Sequence, residues 1–168
     1  MFKNLGKIFL GKKQVWFLVK FWVLFLVAEI ILNYFGVLWL QKEIAFRIAN
    51  LLNLPYENYF IFVNDGAFEI NSSCSGLVSA SILGALVFSL KKPSLEKKIV
   101  IFLAGSLILI FLNFFRVLLV VWVGSVHGLN VAEFVHVATW FATTFFVLAC
   151  WYYFTKKITK VNDFSGFL

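Results

Sequence analysis

Asn71-Ser72-Ser73-Cys74-Ser75-Gly76 marks the point where a polar loop turns into a long apolar run that continues to Leu90. This places a thiol at the start of a predicted membrane helix. Two later apolar runs carry Arg116 and His136. The expectation is that the chain folds to bring these three groups together at one membrane face.

The composition supports a membrane setting. Of 168 residues, 62% are hydrophobic and 14% charged, with a mean hydropathy of +0.92. Soluble domains carry about 45–50% apolar and about 25% charged residues, so a soluble enzyme is excluded. The net charge of +7 follows from where the lysines sit and is not read as a nucleic-acid footprint. Cys74 and Cys150 lie far apart and form no CxxC pair, so neither a zinc site nor a dithiol redox motif is expected. No cofactor and no metal is expected.

Working outward, residues 1–14 are basic and the run 15–40 is apolar. Its 26 residues exceed the ~20 needed to span a bilayer, and no small-residue cleavage site follows. It is therefore read as an uncleaved helix. In 41–54, Ile44, Ile48, Leu51 and Leu52 recur at helical spacing opposite Glu43, Arg47 and Asn50, which predicts a short amphipathic helix lying on the membrane. Apolar runs on either side of Asn64-Asp65-Gly66 predict a β-hairpin over 59–70, with Gly66 at positive φ. Membrane helices are expected at about 74–90, 99–123 and 134–154. Ser72 or Ser73 is expected to cap the first of these, and the tail 155–168 to be unstructured. The fold class is thus an all-α membrane protein with four transmembrane helices and an outer cap over 41–73.

Charge sets the orientation. Segments 1–14, 91–98 and 155–168 hold 11 basic and 2 acidic residues, whereas 41–73 and 124–133 hold 2 basic and 5 acidic. Lys and Arg mark the cytoplasmic side, so both termini are expected inside and the cap outside.

Depth then brings the chemistry together. Cys74 and His136 fall at the outer ends of their helices, and Arg116 lies ~10 Å below the outer end of its own. A helix N-terminus and a nearby cation both favour the thiolate, histidine exchanges protons near neutral pH, and arginine stabilises an oxyanion. Together these suit acyl transfer through a thioester. Against this, a lone cysteine in a membrane helix is usually packing, and an interfacial histidine is usually a surface residue. His127, flanked by glycine, reads as solvated. Arg116 differs, because a charge in hydrocarbon costs at least ~2.5–3.5 kcal/mol on insertion scales. Asn113, one turn below it, either holds Arg116 or caps a neighbouring helix. Glu29 falls at nearly the depth of Arg116, so it pairs with Arg116 or bonds Asn113; the alternative is a protonated Glu29 bonded to Asn33.

Cys74-Ser75-Gly76 heading a small-residue helix, then Asn113-Phe114-Phe115-Arg116, then His136, resembles the exosortase/archaeosortase family over about 59–154. That resemblance implies a membrane cysteine transpeptidase at the cell membrane, with its site facing outward. It implies Cys74 as nucleophile, Arg116 as oxyanion or substrate-carbonyl partner and His136 as proton-transfer group; Ser75, Gly76 and Asn113 of the motifs, and Glu29 by its depth, are expected in support. It implies secreted protein substrates with a C-terminal motif, a transmembrane helix and a basic tail, and a lipid or amine acceptor. The departure is size, since many members carry more helices before the core. The alternative is a non-enzymatic membrane subunit or small transporter using Arg116 and Glu29 for an anionic or proton-coupled ligand.

Overall fold

The computed structural model describes residues 11–64 and 66–159. Lys3 and Lys7 of the basic segment, Asp65 of the expected hairpin turn and the tail from residue 160 lie outside the described residues. The chain order is α1 (Lys12–Phe35), α2 (Leu38–Leu52), β1 (Tyr56–Glu57), β2 (Phe60–Val63), β3 (Gly66–Glu69), a 3-10 turn (Ser72–Ser75), α3 (Leu77–Ser89), α4 (Leu95–His127) and α5 (Leu129–Thr159).

Helices α1, α4 and α5 are each long and apolar enough to cross a membrane. The expected fourth crossing is shorter than predicted. At 13 residues, α3 is ~20 Å long against a hydrocarbon core of ~30 Å. Helix α3 packs between α1 and α4, and α5 packs on α4. Glycine sets the spacing between α3 and α4. A Cβ on Gly105 would come within 2.5 Å of Leu83 Cδ2, and one on Gly84 within 3.0 Å of Phe102 Cε2.

The apolar run 15–40 is not one helix. Gly36, at φ 63°, ends α1 and donates its N–H to Leu32 O. A positive-φ residue closes a helix most cheaply when it is glycine, and next most often when it is asparagine. Helix α2 then starts at Leu38 and ends on Asn53 at φ 53°, two residues before Pro55. Its apolar face also departs from expectation. Ile44, Ala45, Ile48 and Ala49 are buried against Ile61, Ile70, Cys74, Val117 and Val121. Part of that face packs on protein, while Leu51 of the predicted set stays 62% exposed. Helix α4 is 33 residues long. At ~50 Å it outruns the hydrocarbon core, and its outer half needs a cover.

The hairpin is present with one strand more than predicted. β1, β2 and β3 form an antiparallel sheet with Ile61 opposite Phe68 and Val63 opposite Gly66. Gly66 has φ 151°. Burial alternates along the chain as a half-covered sheet requires. Ile61 and Ile70 are fully buried, each worth about 1.5–3 kcal/mol, and Phe68 reaches α4. There Gly124 leaves room for it: a Cβ at Gly124 would stand in contact with the Phe68 ring and 3.3 Å from Ala132 Cβ.

Gly124→Ala should therefore destabilise the cap by about 1–3 kcal/mol through overpacking, read as a lower thermal unfolding midpoint in detergent. Adding Phe68→Leu should recover most of the loss.

Candidate active site

The Cys74 turn is built by local hydrogen bonds. The Asn71 side-chain oxygen accepts from the Cys74 N–H at 3.3 Å, and the Asn71 carbonyl accepts from the same group at 3.0 Å. Ser75 Oγ donates to Ser72 O at 2.6 Å and accepts from Leu77 N at 3.3 Å. The capping groups are thus Asn71 and Ser75, not Ser72 or Ser73. A short carboxamide reaches the N–H three residues on, and the buried Ser75 hydroxyl covers the first free N–H of α3. Cys74 itself precedes the helix, which starts at Leu77.

Gly76 lets this turn approach α4. It sits at φ 80°, and a Cβ there would meet Asn113 Cβ at 3.2 Å and the Ile110 Cα at 3.3 Å. The buried Asn113 amide donates to the Cys74 carbonyl. Asn113 therefore holds the neighbouring turn, one of the two roles expected of it.

Cys74 and His136 line one cavity of about 290 Å³. Its other walls are β3, the outer part of α4 and the first turns of α5. Arg116 is buried directly below, in a cleft between α3, α4 and α5 that it lines with Asn113 and Trp140. Its charge acts on both Cys74 and His136, and its Nε has no hydrogen-bond partner among the described residues. Of the three groups named from the sequence, two line one cavity, and the third lines a cleft with Asn113, whose amide bonds the Cys74 carbonyl.

The thiol differs from expectation. Burial pushes Cys74 above its ordinary range; the Asn71 backbone hydrogen bond and the Arg116 charge pull it back, and Glu69 pushes it up again. Withdrawal from water outweighs the nearby cation, so Cys74 rests as a neutral thiol and needs a base to ionise.

Glu29 does not join the site. Helix α1 packs on α3, no ion pair links Glu29 to Arg116 among the described residues, and Glu29 Oε1 has no hydrogen-bond partner. His127 is exposed at the end of α4 and does not line the cavity. The sequence reading missed Asn71, Glu69 and Glu133, which all line the cavity. Asn71 stands three residues before Cys74 and Glu133 three before His136, and those spacings were the available signals. Among the described residues no group of three His, Cys, Asp or Glu side chains could hold a metal.

Comparison with known proteins gives the family. The profile of the transmembrane exosortases matches residues 8–155. The chain belongs to that family. A curated relative, a probable archaeosortase E of Methanocaldococcus jannaschii, is 28% identical over 120 residues, which cover 69% of this exosortase-family chain and 64% of the relative. No solved structure matches the chain.

Because the Arg116 charge favours the Cys74 thiolate, Arg116→Met should slow alkylation of Cys74 by iodoacetamide several-fold at pH about 8 and move its pH profile upward. Peptide mass spectrometry separates Cys74 from Cys150.

Proposed function

We propose that this chain is a membrane thiol transpeptidase that cuts secreted proteins near a C-terminal sorting signal and transfers them to a surface acceptor. The observation that carries the proposal is the shared cavity of Cys74 and His136 above a buried Arg116. Membership of the exosortase family supports it.

The chemistry follows from the geometry. The proton on Cys74 Sγ passes to the His136 imidazole as the sulfur attacks the substrate carbonyl. Arg116, a buried cation whose charge favours the Cys74 thiolate, stabilises the oxyanion that forms. His136 then returns the proton to the departing amine, which leaves a thioester on Cys74. In the second half His136 deprotonates the acceptor, an amine or a lipid group, which attacks the thioester and releases Cys74. None of these steps calls on a cofactor.

Topology fits the same substrate. With the lysine-rich ends inside and the cap outside, a substrate helix with a basic tail would enter in the matching orientation. Its cleavage point would then meet Cys74 at the outer face. In this arrangement α3 crosses with the help of its flanking segments, giving four crossings. The α2–sheet cap screens the thioester from water, which favours transfer over hydrolysis. A ligand-binding reading built on Glu29 and Arg116 has no shared pocket in its favour, since Glu29 lies on the α1 side of α3.

The direct test is trapping. Wild-type protein co-expressed with a substrate carrying motif, helix and basic tail should show a hydroxylamine-sensitive acyl adduct by intact mass, and Cys74→Ala should show none. If several such substrates give no adduct, while Cys74→Ala supports full sorting in cells, the thioester is wrong. The cap has its own test. Phe68→Ala should raise the ratio of hydrolysed to transferred product, and an unchanged ratio would remove its screening role.

A further inference from the structure

Two carboxylates face the cavity and take no part in the steps above: Glu69 from β3 and Glu133 from the second turn of α5. They stand in different relations to the reacting groups. Glu69 belongs to the strand that leads into the Cys74 turn, and its charge opposes the thiolate. Glu133 is three residues before His136 on the same helix, and both line the cavity. Helical residues three apart are neighbours, with Cβ atoms about 5–6 Å apart. A helical side chain also leans toward the N-terminus, over the preceding turn. The imidazole of His136 thus leans back toward the turn that carries Glu133.

Nothing else claims that carboxylate. Among the described residues no Lys or Arg forms an ion pair with Glu133. The charged groups facing the cavity are Glu69 from β3 and Glu133 from α5, with Arg116 of α4 below them; His136 and Cys74 are the titrating pair. Arg116 and Glu133 thus act on His136 with opposite sign. An imidazole that must accept a proton beside a guanidinium needs such an anion.

We propose that Glu133, one helical turn before His136 on the same cavity and not bonded to it in the resting structure, is its positioning carboxylate, closing on the ring and stabilising the imidazolium that forms when the Cys74 proton moves to it. The proposal rests on the thiol–imidazole pairing above and adds a third member, in the way a base is oriented by a further group in other nucleophilic sites. The proton goes from Cys74 Sγ to an imidazole nitrogen, and none passes to Glu133.

Alkylation tests this without any sorting substrate. Full-length protein in detergent is treated with iodoacetamide from about pH 6 to about pH 9, and modification of the Cys74 peptide is followed by mass spectrometry. Glu133→Gln should slow Cys74 modification several-fold near neutral pH and shift its profile to higher pH. Glu133→Ala should give the same sign, and neither should slow it further once His136→Ala is present. A carboxylate that merely faces the thiol does the opposite, since its removal favours the thiolate and speeds the reaction. A faster or unchanged rate in Glu133→Gln, or a slowing that persists with His136→Ala, would overturn the proposal. Alkylation and acyl trapping can disagree, so failure of this coupling and failure of the transpeptidase proposal are told apart.

Discussion

The structure depends on one close approach, the packing of the Gly76 turn onto α4 at Ile110 and Asn113. A residue with a Cβ could not sit there, both because the backbone is left-handed and because α4 main chain lies 3.3 Å away. The approach leaves the Cys74 carbonyl buried, and the Asn113 amide satisfies it. A buried carbonyl without a donor costs about 1–3 kcal/mol, so this bond sets the register between turn and helix. That register places Cys74 above Arg116 and toward the first turns of α5. Ser75 seals the arrangement from the other side, fully buried and bonded both to the turn and to the start of α3.

Arg116 is the second constraint. Its burial on a membrane helix, with Nε unpartnered among the described residues, opposes folding unless the group has work that needs a fixed cation. Buried charges are otherwise paired. The same dry surroundings hold the Cys74 thiol neutral at rest. The two facts fit one logic. A neutral thiol survives in the cap without side reactions and becomes nucleophilic only when a base accepts its proton. The cation is in place for the negative charge that follows.

Much of this was legible in the sequence, and the rest was hidden for physical reasons. Cys74, Arg116 and His136 could be placed by depth because helical rise is nearly constant and polar residues in apolar runs stand out. The hairpin could be seen because Asn64-Asp65-Gly66 has the composition of a tight turn. The break at Gly36 was missed because a glycine within an apolar run is often tolerated, and what decides is whether the next segment has somewhere else to pack. The same ambiguity misplaced α2. An amphipathic helix shows that one face is buried, but its pattern does not say whether lipid or protein buries it, and the extra length of α4 supplied protein. Glu69 and Glu133 looked like ordinary loop acids, because their meaning depends on two distant segments meeting at one cavity.

The position of His136 shows why the cap is more than a cover. Helix α5 packs on α4, and much of its surface is exposed. Two places hold it: Trp151 is buried with Leu83, Val87, Leu90 and Leu109, and the second lies at its N-terminal end. Ala132 is fully buried there against Val120 and Val123, with Phe68 of the sheet packed onto the same cluster. Gly124 is what lets Phe68 enter, and Phe68 lies one strand step from Glu69 and four residues from the start of the Cys74 turn. The sheet thus touches both halves of the site, through Ile70 and Asn71 toward the thiol and through Phe68 toward the helix that carries the base. A shift of the sheet would change the distance from sulfur to imidazole before it exposed either group to water. On the proposed mechanism the cap is for that reason part of the geometry of proton transfer, and its packing against α4 and α5 bears on that chemistry as much as the side chains it encloses.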